Sequence, residues 1–126
     1  MSDRPTPEVR AVLHAAADLI EKVGWCQKAD AIGLDGFPFW GLPDRPATAH
    51  CARHAILIAD DRIAVETGRS VSVYDTAVKA VNEYLATELR TDFHEIITAW
   101  NDSPKRTKEE VVAALRRAAE TKGPRC

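Results

Sequence analysis

The segment 6-TPEVRAVLHAAADLIEKVG-24 predicts the first helix and, with it, the helical character of the chain. Thr6 is a favourable N-cap residue, and Pro7 suits the first helical position because an N–H there would have no intrahelical partner. Gly24 predicts the end of the helix. Apolar residues recur at spacings of three and four, which predicts one buried face; they are Val9, Val12, Leu13, Ala16, Leu19, Ile20 and Val23.

Two further helices are predicted in the middle of the chain. The second runs from about Ala47 to Thr67, and Gly68 is a suitable residue to end it. Its centre is apolar nearly all round, which is typical of a helix in the middle of a bundle. The third begins at Ser72, because Ser72 and Asp75 nearly match a capping box.

The last two helical segments complete the predicted bundle. A short one covers residues 92–100, and the final helix begins at Thr107, which forms a capping box with Glu110. Strand-forming residues are scarce outside a few short runs. We therefore predict an all-α fold, a compact bundle of four to five helices with one long aromatic-rich loop at about residues 25–46.

Length and composition predict the kind of protein. The 126 residues fit one helical domain spanning residues 1–126, with residues 1–5 and 123–126 as flexible ends. A net charge of −2 makes nucleic acid an unlikely partner, and the basic character of residues 104–126 is interpreted as a solvated helix face. No membrane span or secretion signal is predicted. Three cysteines, an odd number, favour a reducing cytoplasm.

The loop contains the first candidate binding residues. Three glycines and three prolines in 33-GLDGFPFWGLPDRP-46 exclude a helix. Its aromatic residues Phe37, Phe39 and Trp40 would expose much apolar area if the loop were disordered. We therefore expect an ordered loop, with a short hairpin around Asp35-Gly36, packed over the helices. Exposed aromatic residues are also typical anchors of protein interfaces.

The stretch 48-TAHCARHAI-56 raises the question of a metal or catalytic site. On a helix, His50, Cys51 and His54 would project from neighbouring faces, and Cys26 could complete a zinc site. A second alternative pairs Cys26, as nucleophile, with a histidine base and Asn101 or Asp102 as the orienting residue. However, no C-x-x-C or H-E-x-x-H motif is present, and Cys51 has apolar neighbours. Core packing is the favoured interpretation, with no metal, cofactor or catalytic residue.

The triplet Trp100-Asn101-Asp102 has a structural interpretation as well. Trp100 can close the core, while Asn101 or Asp102 holds the turn into the final helix with its side chain. A binding role for the triplet stays open beside this interpretation.

Four short motifs together resemble a family of small uncharacterised proteins from actinobacteria and their phages. They are G-W-C-Q (Gly24, Trp25, Cys26, Gln27), C-A (Cys51, Ala52), I-x-x-W-N-D (Ile97, Trp100, Asn101, Asp102) and R-T-x-x-E-V (Arg106, Thr107, Glu110, Val111). The resemblance covers roughly residues 9–119. It implies a helical domain in the cytoplasm of a bacterium, or of the host cell of a phage, and no established activity. It also implies a small residue at the position of His54, which argues against a shared role for that histidine.

Two classes of function follow from these observations. The first is a non-enzymatic interaction or regulatory module with a protein partner or a homodimeric state. Its candidate binding residues are Phe37, Phe39, Trp40, Trp25, Trp100, Asn101 and Asp102. The alternative is a small metal-binding or cysteine-dependent enzyme that uses Cys26, Cys51 and His50, with His54 as a further possible ligand.

Overall fold

The computed structural model describes residues 4–41, 46–89 and 96–121. Within these ranges the chain is mostly helical, with a small sheet of three strands. The elements in chain order are α1 (Pro7–Lys22), β1 (Ala31–Gly33), β2 (Pro38–Phe39), β3 (Ala47–His50), α2 (Ala52–Thr67), α3 (Tyr74–Leu89), α4 (Ile96–Asn101) and α5 (Lys108–Glu120).

The first and last helices form the centre of the core, and both begin where the sequence predicts. Helix α1 packs chiefly against α5 and α2. Thr6 caps α1, since its Oγ1 accepts a hydrogen bond from the Val9 N–H at 3.3 Å. At α5, Thr107 Oγ1 accepts from the Glu110 N–H at 3.2 Å, and the Glu110 carboxylate accepts from the Thr107 N–H at 2.9 Å. The predicted apolar face of α1 is buried except at Val23, which lies beyond the last helical residue and is exposed.

The prediction of an all-α fold is wrong in the segment between α1 and α2. Strands β1 and β2 form an antiparallel hairpin around Asp35-Gly36, which confirms the predicted turn. Its geometry is that of an Asx turn, because Asp35 Oδ1 accepts from the Phe37 N–H at 3.0 Å and Gly36 has a φ of 84°. Strand β3 pairs with the other edge of β1, so the sheet order is β2-β1-β3.

The predicted start of the second helix at Ala47 is also wrong. Residues 47–50 form β3, and the helix begins only at Ala52. The reason is non-local pairing: His50 lies opposite Ala31 of β1, while its N–H and C=O bond to the chain that follows α1. That chain comes so close that a Cβ at Gly24 would lie 2.6 Å from the carbonyl oxygen of Thr48. These contacts override the helix propensity of the alanines.

Asp60, a buried residue in the middle of α2, connects the segment just after α2 with the start of α3. Its Oδ1 accepts hydrogen bonds from the Arg69 side chain and from the Val73 N–H. Gly68 ends α2 in the left-handed conformation, as predicted. Helix α3 starts at Tyr74 rather than at Ser72, because Ser72 lies before the helix and its Oγ accepts from the Tyr74 N–H at 3.1 Å. Ser72 also donates to Asp60 Oδ2 at 2.8 Å. Ser72 is therefore hydrogen-bonded to Asp60, and not to Asp75, the partner that the near capping box predicted.

Some predicted features lie partly outside the described residues. Helix α4 begins at Ile96, whose neighbour Ile97 donates its N–H to Asn82 Oδ1 at 2.9 Å, whereas residues 92–95 of the predicted segment are not described. Of the predicted flexible ends, residues 1–3 and 123–126 are outside those ranges too, but Arg4 forms an ion pair with Glu120 at 3.5 Å. No helix among the described parts of the chain is long and apolar enough to cross a membrane.

Candidate functional site

The side-chain amide of Asn101 joins three separate parts of the chain. Its Oδ1 accepts from the Trp25 indole N–H at 2.7 Å and from the Ala52 N–H, at the start of α2, at 3.0 Å. Its Nδ2 donates to the Cys26 carbonyl at 3.1 Å and to Asp102 Oδ1 at 3.0 Å. Asn101 is 1% exposed, and these four bonds use the usual hydrogen-bonding capacity of an amide. We call Asn101 and these four partners the Asn101 clamp.

Two neighbouring residues strengthen the same connection. Gln27 donates from its amide nitrogen to the Asn101 carbonyl at 2.9 Å and to the Ser103 carbonyl at 2.7 Å. The Lys28 N–H donates to Asp102 Oδ1 at 2.9 Å, and Lys28 adopts a left-handed φ of 63°. The structure therefore brings Trp25, Asn101 and Asp102 together and places the motif after α1 directly against the end of α4.

Trp100 lies apart from the clamp although it is the next residue along the chain. The Arg106 guanidinium lies 4.2 Å from the centroid of the Trp100 ring, and Arg106 Nε donates to the Trp100 carbonyl at 2.9 Å. Arg106 also pairs with Glu110 at 3.2 Å, so it links α4 to the first turn of α5. The buried Trp100 indole N–H has no hydrogen-bond partner in the described part of the chain.

A cleft of about 630 Å³ opens beside the clamp. One wall is built by Arg53, which pairs with Asp30 at 2.6 Å and donates to the Tyr74 hydroxyl at 3.0 Å. Asp30 in turn accepts from the Gly41 N–H at 2.7 Å, which holds the chain immediately after Trp40. The residues around the cleft include Lys28, Asp30, Trp40, Cys51, Arg53, Tyr74, Asp75, Asn101 and Asp102.

The charge of Arg53 is maintained within this wall. Burial opposes the charge, but the hydrogen bond to Tyr74 and the nearby charge of Asp30 outweigh it, so the pKa of Arg53 lies above its ordinary value. Burial likewise raises the pKa of the Tyr74 hydroxyl, which therefore stays protonated. At neutral pH the wall contains one cation and one anion held together.

Both described cysteines are buried free thiols. Cys51 is the N-cap of α2, and its sulfur accepts from the His54 N–H at 3.3 Å, whereas the Cys26 thiol faces the Ala29 carbonyl at 3.7 Å. Burial raises the pKa of Cys26 to about 12 and that of Cys51 to about 11. Because the thiolate is the reactive form and the metal-binding form, these environments disfavour both uses.

His50 and His54 lie on different elements, β3 and α2, and not on one helix as predicted. The two rings are nevertheless stacked, with centroids 5.0 Å apart and their Nδ1 atoms 2.8 Å apart, so that one nitrogen donates and the other accepts. Burial, followed by the proximity of His54 and Arg62, lowers the pKa of His50 to about 4. Among the described residues, no group of three or more His, Cys, Asp or Glu side chains is arranged to hold a metal ion.

The three aromatic residues of the predicted loop have different environments. Phe39 is 4% exposed and packs edge-on against His54, with ring centroids 5.9 Å apart. It is buried within the sheet, and this burial does not support its predicted role as an anchor for a partner. Phe37 and Trp40 are 69% and 60% exposed, and Leu34, which the sequence analysis missed, is 73% exposed. We call Leu34, Phe37 and Trp40 the apolar tip.

Strand alternation is the signal that distinguishes Phe39 from Pro38 and Trp40, the residues on either side of it. In the observed register Ala31 lies opposite both Phe39 and His50, and all three are buried. Only a weak signal in the sequence indicates the cleft: Arg53 is a charged residue within the apolar run that begins α2. Neither Arg53 nor Asp30 could be paired from sequence spacing alone.

Comparisons with known proteins describe the chain at the level of its family. No curated protein and no solved structure matches the sequence significantly. A family model described as a family of unknown function (DUF6197) matches residues 4–121. The match spans nearly the whole chain and confirms the predicted uncharacterised family, and the chain therefore belongs to the DUF6197 family.

Proposed function

We propose that this chain is a non-catalytic interaction module that binds a different protein through the apolar tip. The observation that carries the proposal is the exposure of three large apolar side chains, Leu34, Phe37 and Trp40, on one short hairpin and the residue after it. Aromatic residues that are exposed in the free protein and become buried in a complex contribute most to many interfaces.

The backbone beneath the tip is held in place, which favours binding. The Asx turn of Asp35, the pairing of β2 with β1 and the bond from the Gly41 N–H to Asp30 all restrict this segment. A side chain on a restricted backbone loses less conformational entropy when a partner covers it. Burial of apolar area then contributes about 25 cal/mol per Å².

The cysteine or metal alternative receives less support. The raised pKa values of Cys26 and Cys51 mean that both thiols are neutral at pH 7, and no geometry in the described ranges favours a ligand set. The free thiols agree with the proposed cytoplasmic setting, in which cysteines stay reduced. The actinobacterial or phage origin stays a prediction.

A capture experiment with matched variants tests the proposal. The bait is the full chain, and the extract comes from the organism that carries the gene. We expect a partner that binds the wild type and is lost with the double change Leu34→Ser and Phe37→Ser. The matched control is Val71→Ser, because Val71 is 70% exposed and lies outside the tip, between α2 and α3. The captured protein must then bind the purified chain with the same dependence.

Two outcomes would contradict the proposal. In the first, every captured protein binds the tip variant as well as it binds the wild type. In the second, sedimentation finds a wild-type homodimer that the tip variant converts to monomers, so that the tip contacts a second copy of the chain. Retained binding by Val71→Ser together with loss by the tip variant supports the proposal.

A further inference from the structure

The cleft beside the apolar tip contains an unbalanced charge. Arg53 and Asp30 neutralise each other at 2.6 Å, and the second oxygen of Asp30 is occupied by the Gly41 N–H. Among the described residues, three further charged side chains line the cleft, the acids Asp75 and Asp102 and the cation Lys28. These described side chains together carry an excess of one negative charge, which favours a cationic ligand.

Both of these acids have oxygens available for a ligand. Asp75 lies in the first turn of α3 and makes no hydrogen bond or ion pair with any described residue. Asp102 uses Oδ1 for the Lys28 N–H and the Asn101 amide, while its Oδ2 has no partner within the described ranges. Two carboxylates with free oxygens can accept charge-assisted hydrogen bonds from an ammonium or guanidinium group.

Trp40 connects the cleft with the apolar tip. Its ring is 60% exposed and lines the cleft, so a partner that covers the tip also reaches the mouth of the cleft. An indole face attracts a cation that lies within about 6 Å of its centroid. A volume of about 630 Å³ accommodates a long side chain together with part of its backbone.

We propose that the cleft between Trp40, Asp75 and Asp102 binds a lysine or arginine side chain of the protein partner. This inference rests on the proposed function, because the partner that contacts the tip supplies the basic residue. The ammonium or guanidinium group lies between the two carboxylates, and its aliphatic part packs against the Trp40 ring. The Arg53–Asp30 pair keeps the opposite wall in place and takes no direct part in charge recognition.

A titration with short blocked peptides tests the cleft directly. The probes are tetralysine, tetraarginine and tetraglutamate, each added to the ¹⁵N-labelled full chain. We expect saturable shifts of the Trp40 indole N–H and of the Lys28 and Asp75 amides with both basic peptides and none with the acidic one. Asp75→Asn and Trp40→Ala each weaken tetralysine binding by about two- to fivefold.

The matched control for Asp75→Asn is Asp61→Asn. Asp61 is an exposed aspartate on α2 outside the cleft, so its substitution removes the same charge and leaves tetralysine binding unchanged. Equal weakening by both substitutions would overturn the inference, because it would mean that the peptide only follows the net charge of the surface. Shifts with tetraglutamate, no saturable shift, or binding of spermidine as tight as that of tetralysine would overturn it too.

The two proposals can fail separately. A partner that requires Phe37 but binds Asp75→Asn as tightly as the wild type would overturn the assignment of the cleft and leave the proposed function in place. If tetralysine bound saturably in the cleft but no partner depended on the tip, the cleft would still be a site for basic side chains. The proposal that the tip anchors a partner would then be overturned.

Discussion

The Asn101 clamp and the apolar tip differ in the kind of side chain that each buries or exposes. In the clamp, polar groups are buried and hydrogen-bonded to one another, so they connect the segment after α1 with α2 and α4. At the tip, large apolar side chains are exposed on a short hairpin. A buried polar group is costly unless it is paired, and an exposed apolar group is unfavourable unless it is later covered. The comparison assigns stability to the clamp and binding to the tip.

The largest effect is expected from Asn101→Ala. This change leaves the Trp25 indole N–H, the Ala52 N–H and the Cys26 carbonyl without their present partner. An unpaired buried group costs about 1 to 3 kcal/mol, so we expect the free energy of unfolding to fall by about 4 kcal/mol. Urea denaturation followed by circular dichroism measures it.

A milder variant keeps this prediction testable if Asn101→Ala does not fold. Trp25→Phe removes the indole donor together with part of the ring, keeps the other bonds of Asn101, and is expected to cost about 1 to 2 kcal/mol. If both variants unfolded at the wild-type urea concentration, the clamp would not be a stabilising feature and the comparison would fail.

The second effect distinguishes two aromatic residues that are two positions apart. Phe39→Ala removes a buried ring that packs on His54 and is expected to lower the free energy of unfolding by about 3 kcal/mol. Phe37→Ala is the matched control, because it removes the same atoms from an exposed position. The measurement is again urea denaturation, and equal losses for both variants would contradict the assignment of Phe39 to the core.

The third effect concerns acid stability and depends on His50. Its pKa is about 4 in the folded chain and 6.5 without the fold, so the unfolded state takes up a proton first as the pH falls. The stability that neutral His50 contributes is therefore complete above pH 6.5 and is lost between pH 6.5 and 4. We expect a loss of about 3 kcal/mol across this window.

Urea denaturation at several pH values checks this prediction. The comparison variant is His50→Gln, which cannot be protonated in this range and is expected to show a flatter dependence on pH. The neighbours that face His50 and contribute to its pKa, His54 and Arg62, remain in the variant. If the free energy of unfolding of His50→Gln fell with decreasing pH as steeply as that of the wild type, another group would cause the loss of stability in acid.

Local signals in the sequence predicted a large part of the fold. The caps at Thr6 and Thr107 and the left-handed Gly68 were predicted correctly, because each depends on a few adjacent residues. The Asp35-Gly36 hairpin was predicted for the same reason. The start of α2 was not, because β3 owes its conformation to pairing with β1 and with the chain near Trp25, which no local rule detects.

The candidate site was less accessible to sequence reasoning. Trp25 and Asn101 are 76 positions apart, and their motifs gave no indication that one amide would join them. One wall of the cleft forms only because three residues from separate parts of the chain meet there. They are Asp30 before β1, Arg53 in α2 and Tyr74 at the start of α3. The exposure of Phe37 and the burial of Phe39 depend on where the turn ends, because Phe37 precedes β2 while Phe39 lies in β2 opposite Ala31. Within one strand, residues two positions apart would share a face, so alternation alone does not separate them.

The smallest effect on stability is expected at the apolar tip, and it tests the other half of the comparison. Leu34→Ser and Phe37→Ser replace side chains that are mostly exposed and lie outside the core cluster. We expect each change to alter the free energy of unfolding by less than about 0.5 kcal/mol, while partner binding is lost. Calorimetry of the purified variants measures the first quantity and the capture experiment measures the second. A loss of 2 kcal/mol or more would mean that the tip packs against the protein itself, and its exposed area would then no longer support a binding role.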